Sequence, residues 1–166
     1  MLVYDPAFDA YHCIFRLLTL LEREKEIEID TLRILDFALC FPSVVSTFKL
    51  PKEFSAARAA ARQSFSPYRE ALGPSNLFLS LQQTQEGALA CLVASGYISG
   101  ESMYRGTAAR TAISLPPELH ERCALLIKRE EAFFRFLKPT LLEIPLNGPQ
   151  GLKARSCLME YRYDYI

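Results

Sequence analysis

Apolar residues recur every three to four positions through most of this chain, and short alternating stretches interrupt them. Phe8, Tyr11, Phe15, Leu18 and Leu21 hold helical spacing, with Ile14 and Leu17 widening the stripe, so the pattern predicts an N-terminal helix over 5–25. Asp5-Pro6 supplies its start, an acceptor followed by proline at the first helical position. The run Glu22-Arg23-Glu24-Lys25-Glu26 reads as its solvated end. Ile27 and Ile29 alternate with Glu26, Glu28 and Asp30 as in a short strand. A second helix, 32–41, is capped by Asp30 or Thr31, turns Leu32, Leu35, Ala38 and Leu39 inward and ends at Pro42. Residues 43–50 read as a short helix, and about 53–65 as an alanine-rich one with Arg58 and Arg62 four apart on one face. Ser66-Pro67 and Gly73-Pro74 bracket a loop.

The stretch 82–113 changes period. Residues 84–95 predict a helix with Ala88, Leu89, Leu92 and Val93 on its inner face, and Gly96 stands where a left-handed cap belongs. Tyr97-Ile98 begins a strand, Ser99–Ser102 forms a turn, and Met103-Tyr104 lead to a returning strand near 111–113, with Gly106 at a bulged tip. Helix, glycine, strand, loop, strand is the order of the third helix and wing of a winged helix, with 32–41 and the alanine-rich helix as the first two. Pro116-Pro117 then opens a long helix to about Lys138, striped by Leu119, Cys123, Leu126, Phe133 and Leu137 and broadened by Ile127 and Phe134. Pro139, Pro145, Gly148, Pro149 and Gly151 argue against helix beyond it. The last residues alternate as a strand, with Tyr161, Tyr163 and Tyr165 on one face. The expected fold is mainly α (α+β): one domain over 1–166. It comprises an N-terminal helix 5–25, a winged-helix-like core 27–115, a C-terminal helix 116–138 and a tail 139–166.

Composition adds constraints. The 166 residues are 50% hydrophobic and 23% charged, a globular balance that suits one domain. Nineteen basic residues match nineteen acidic ones, which removes the simplest nucleic-acid binder, a domain basic as a whole. Cys13, Cys40, Cys91, Cys123 and Cys157 are odd in number, widely spaced and without a C-x-x-C pair. They read as reduced, buried and structural rather than as metal ligands. The N-terminus carries no basic secretory region, and the apolar stretch 11–21 is too short to span a bilayer. A cytoplasmic protein without membrane contact is expected.

The candidate chemistry is sparse. A DNA-reading helix supplies cations to phosphates and base edges, yet no Lys or Arg stands between Glu70 and Tyr104. Gln82 to Gln85 read as a polar helix start. Arg105 and Arg110 on the wing are the candidate DNA contacts, since a wing arginine can enter a minor groove. No H-E-x-x-H, G-x-S-x-G or phosphate-loop element occurs, and His12 and His120 stand in separate helices without a motif. The reading is a non-enzyme with no cofactor, no metal and no small-molecule substrate. The Phe133/Phe134 stripe and the alternating Tyr161, Tyr163 and Tyr165 are the candidate protein interface, with core packing as the alternative use of the same stripe.

Three blocks carry a family likeness. These are Tyr4 to Arg16 with its His12-Cys13-Ile14-Phe15-Arg16 centre; Leu32-Arg33-Ile34-Leu35-Asp36-Phe37 with Phe41-Pro42; and Gln85-Glu86-Gly87-Ala88-Leu89 leading to Gly96-Tyr97-Ile98. With Tyr161-Arg162-Tyr163 they resemble the middle components of bacterial ABC-three-component systems, the group that includes the small subunit of Lamassu-type anti-phage defence. The resemblance implies a non-catalytic accessory subunit beside an SMC-like ABC ATPase and an effector, often a nuclease, with DNA met through the complex. It brings no catalytic residues. A small winged-helix transcription regulator is the competing reading, and an antitoxin-like partner a third.

Overall fold

The computed structural model describes residues 4–64 and 73–160. Its first turn is tighter than an α-helix. Asp5 accepts from the Ala7 backbone N–H and caps a 3-10 turn, Pro6–Phe8. Asp9 then accepts from His12 N–H and starts α1, Ala10–Leu21, as an N-cap acceptor does. The helix ends before the charge run, because Glu22 is extended and Arg23 sits at φ +69°. The single helix expected over 5–25 is therefore two elements. Phe8 and Tyr11, expected on the inner stripe, are exposed, while Cys13, Leu17, Leu18 and Leu21 are buried.

Strand β1, Ile27–Glu28, runs directly into α2, Ile29–Cys40. Pro42 ends that helix and opens a 3-10 turn, Pro42–Thr47. A second 3-10 turn, Lys52–Phe54, leads into α3, Ser55–Gln63. The helix expected over 84–95 begins ten residues earlier than its periodicity indicates: α4 spans Pro74–Ala94. Pro74 suits a first-turn position, where a missing N–H costs nothing, and the added turns bury Leu77, Phe78 and Leu81. Gly96 is left-handed at φ +78°, as a helix-ending glycine should be.

The loop after Ile98 is the clearest correction. Ser99 accepts from Ser102 N–H and caps a short helix, α5, Gly100–Tyr104, where a turn and the approach to a strand were expected. The chain returns as β2, Thr107–Ala108, which pairs antiparallel with β1 in the register Ile27↔Ala108 and Glu28↔Thr107. On the other side of this strand, Ile98 bridges Arg110, with Ser99 N–H donating to Ala109 O at 3.0 Å and Thr111 N–H to Tyr97 O at 3.1 Å.

The helix expected over 116–138 is interrupted. It forms α6, Pro117–Arg129, then a widened π turn, Phe133–Leu137, then α7, Lys138–Glu143. Pro139 explains the break, since it offers no N–H and its ring would meet the carbonyl four residues back. The same proline is tolerated in the first turn of α7. Helix α8, Leu152–Ser156, lies in the segment read as too rich in breakers. Gly151 allows it: a Cβ there would stand 2.2 Å from Asn147 O. The tyrosine strand at 161–166 and most of the loop at 66–73 lie outside the described residues.

The contacts divide the chain into two compact units. The first, Met1–Asp36 with Ser80–Arg129, packs α1 against α6 and buries Leu17, Leu32, Leu81, Leu92 and Ile98. The second, Phe37–Leu79 with Glu130–Ile166, packs the alanine face of α3 against the Pro42–Thr47 turn and the π turn. Phe37 is its aromatic centre, 5.5 Å edge-on to Phe78 and 5.3 Å from Phe41.

Candidate functional site

Two charges of opposite sign stand alone in apolar helical runs, Arg16 in α1 and Asp36 in α2. An unpaired buried charge is far too costly to keep, and the fold brings these two together. Arg16 Nε donates to Asp36 Oδ1 at 2.6 Å and Nη2 to Oδ2 at 3.3 Å, with Asp36 fully buried. Gln85 of α4 completes the group. Its Nε2 donates to Asp36 Oδ2 at 2.9 Å and to Arg33 O at 3.1 Å, while its Oε1 accepts from Arg33 Nε at 3.2 Å. Arg33 reaches on to Asp30 at 3.3 Å. Among the described residues no buried side-chain nitrogen or oxygen is left without a partner.

The network also holds the start of the chain. Arg16 Nη1 donates to Pro6 O at 3.0 Å and Nη2 to Ala7 O at 3.1 Å. One guanidinium thus fixes the 3-10 turn to α2 and, through Gln85, to α4. At the rim of this unit, Tyr4, Phe8 and Tyr11 are exposed, and the Arg122 guanidinium lies 5.5 Å from the Tyr11 ring and 5.3 Å from Phe15, within cation–π range. The Cys13 thiol points at Asp36 Oδ2 from 3.8 Å. Burial, with the Asp36 charge behind it, pushes this thiol far above the ordinary cysteine range, so it is a poor nucleophile and a poor metal ligand. Cys40 and Cys123 are buried as well, whereas Cys91 and Cys157 are exposed. No group of three metal-capable side chains gathers among the described residues.

Sequence reasoning read Gln85 as part of a polar helix start and gave Asp36 no role. The signal was a lone carboxylate inside Leu32–Phe37 and a lone arginine inside the 11–21 stretch, since buried charges occur in pairs.

The residues singled out from sequence have separate fates. Arg105 is closed on its own unit, with Nη2 donating to Glu26 at 3.0 Å and Nη1 to Glu101 at 2.8 Å. The Thr107 hydroxyl also donates to Glu26, and these two partners, Thr107 first, hold the Glu26 carboxyl below the usual range. Arg110 donates to Tyr97 O at 3.2 Å and Ile113 O at 3.1 Å, its guanidinium 5.8 Å from the Tyr97 ring. Phe133 is buried in the second unit, and Phe134, partly exposed, meets it edge-on at 5.2 Å. Tyr161, Tyr163 and Tyr165 lie outside the described residues. No described helix is long and apolar enough to cross a membrane.

No curated protein and no solved structure matches the chain. The sequence model of the ABC-three component (ABC-3C) system Middle Component 5 does, over residues 2–164. That span takes in all three segments whose side chains meet at Asp36, and the chain belongs to this family of ABC-three-component middle components.

Proposed function

We propose that this chain is the non-catalytic accessory subunit that binds an SMC-like ABC ATPase in a bacterial anti-phage or anti-plasmid defence complex of the Lamassu kind. There it helps couple DNA sensing to an effector nuclease. The observation that carries the reading is the match to the middle-component family along nearly the whole chain. The chemistry supports it: the buried charged groups of the first unit are spent on one another, and the most burial-perturbed thiol is inert.

The first unit is read as a winged helix. Helix α1, strand β1, helix α2, the 80–94 part of α4 and two further strand segments occur in winged-helix order. The segment around 107–111 lies between β1 and 97–99. On this reading α1 and α2 are the first two helices, and α3 belongs to the other unit. The exposed face of the third helix offers Gln83, Glu86, Gly87, Ala90 and Cys91, without a cation for phosphate. That composition favours the subunit over the transcription regulator.

Phe134, Tyr161, Tyr163 and Tyr165 are the residues assigned to the partner interface. The test is co-expression with the ABC ATPase of the same system and measurement of the assembled fraction by sedimentation. Assembly is expected to survive purification and to weaken at least tenfold in Phe134→Glu, Tyr161→Glu or Tyr163→Glu. Phe133→Glu is unsuitable, because it places a charge in the core. A chain that stays alone and instead retains a palindromic promoter duplex would replace this reading with the regulator.

A further inference from the structure

The two units carry opposite charge. The first holds nine basic and twelve acidic residues, the second ten basic and seven acidic. In the second unit the cations converge on one short segment. Phe48 and Leu50 are buried and pin it, so Lys49 between them and Lys52 beyond Pro51 face outward. Arg58 of α3 donates to Leu50 O at 2.7 Å, and Arg62 stands exposed one turn further along the same helix face. Arg155 of α8 donates to Lys49 O, to Gln150 O at 2.6 Å and to Gln150 Oε1 at 2.7 Å. Lys49 N–H returns a bond to Arg155 O at 3.0 Å. The tight turn at Gly151 sets α8 in place for this.

The Arg58 and Arg155 guanidinium groups are oriented by neutral oxygens, not by carboxylates. Among the described residues, none of Lys49, Lys52, Arg58, Arg62 and Arg155 forms an ion pair. Glu53 is the acid beside them in sequence. Carbonyl bonds fix a guanidinium while leaving its full charge to be neutralised from outside, an arrangement suited to a polyanion.

We propose that this cluster contacts the phosphodiester backbone of duplex DNA. A duplex is favoured over a single strand because single-strand sites add exposed aromatic platforms for base stacking. Among the described residues the large exposed apolar side chains belong to the first unit, apart from Leu79, which is not aromatic. The contacts proposed are to phosphates alone, so the binding is independent of sequence. The assignment moves direct DNA contact from Arg105, which is closed on Glu26 and Glu101, and from the single carbonyl-held guanidinium of Arg110 to the cluster of the second unit, and it holds whether or not the ATPase partner is the one proposed above.

The test is fluorescence anisotropy of the full chain with a labelled 30-base-pair mixed-sequence duplex between 50 and 200 mM salt. Lys49→Glu/Lys52→Glu is expected to weaken binding at least tenfold and to lower the slope of log affinity against log salt by about two. Lys49→Arg/Lys52→Arg, which keeps the charge, is expected to retain affinity, and Arg105→Gln to leave it unchanged. Absence of binding at 50 mM salt would overturn the proposal, as would equal binding by the glutamate variant. Tighter binding of a poly-glutamate peptide than of the duplex would do the same and assign the surface to an acidic protein.

Discussion

Three arginines of the first unit and two of the second are held in opposite ways. In the first, Arg16, Arg33 and Arg105 are each matched to carboxylates, and Asp36 takes its partners from two other helices. In the second, Arg58 and Arg155 are held on backbone carbonyls and their charge stays available. A charge matched internally specifies how elements meet, and a charge oriented but unmatched is kept for another molecule. The net charge of zero conceals this division completely, since the excess acid of one unit cancels the excess base of the other.

The largest effect should come from breaking the internal match. Asp36→Ala leaves the buried Arg16 guanidinium without its counter-charge, and such a loss costs about 3–5 kcal/mol. Urea unfolding is expected to show an unfolding free energy lowered by that amount, and a change below about 1 kcal/mol would mean that the pair is not closed as described. Gln85→Leu removes one hydrogen bond to Asp36 and two to Arg33 but no charge, so about 1–3 kcal/mol is expected by the same measurement. In the second unit, Gly151→Ala forces a Cβ against Asn147 O, and part of the 147–151 turn must move. The expected readout is reduced thermal stability together with weaker duplex binding, because Arg155 loses its station.

A smaller effect sharpens the contrast chemically. Cys91 and Cys157 are expected to react with a maleimide in the folded protein, and Cys13, Cys40 and Cys123 only after unfolding. Mass spectrometry counting two labels before denaturation and five after would agree; early labelling of Cys13 would show that the Asp36 cluster opens. The smallest effect concerns pH. Glu26 titrates below the ordinary value of about 4.3 because Thr107 and Arg105 bond to its ionised form. Its contribution is complete above that value and is lost as pH falls through the lowered one. A carbon-detected NMR titration should show this, and Arg105→Gln should move the midpoint upward.

Much of the fold was legible because helix signals are local. Asp5-Pro6, Pro42, Gly96 and Pro117 mark boundaries through their own backbone chemistry, whereas the second start at Asp9 was missed. The Ser99 cap that makes 100–104 helical is equally local, but glycine on either side of the segment reads as hairpin punctuation. The break at 130–137 follows from Pro139 acting backwards on the preceding turns, which periodicity alone does not register. The Asp36 network and the Lys49 cluster were out of reach for a different reason. Each joins residues from segments far apart in sequence, and only the pairing of those segments reveals whether a charge is matched or left open.

The most direct test of the subunit assignment is hydrogen–deuterium exchange of the full chain, alone and with the ABC ATPase of its system. The account expects new protection around Phe134 and over 161–165, with the helices bearing Arg16, Asp36 and Gln85 protected equally in both states. Identical exchange with and without the ATPase, at concentrations where both are in excess of micromolar, would contradict it.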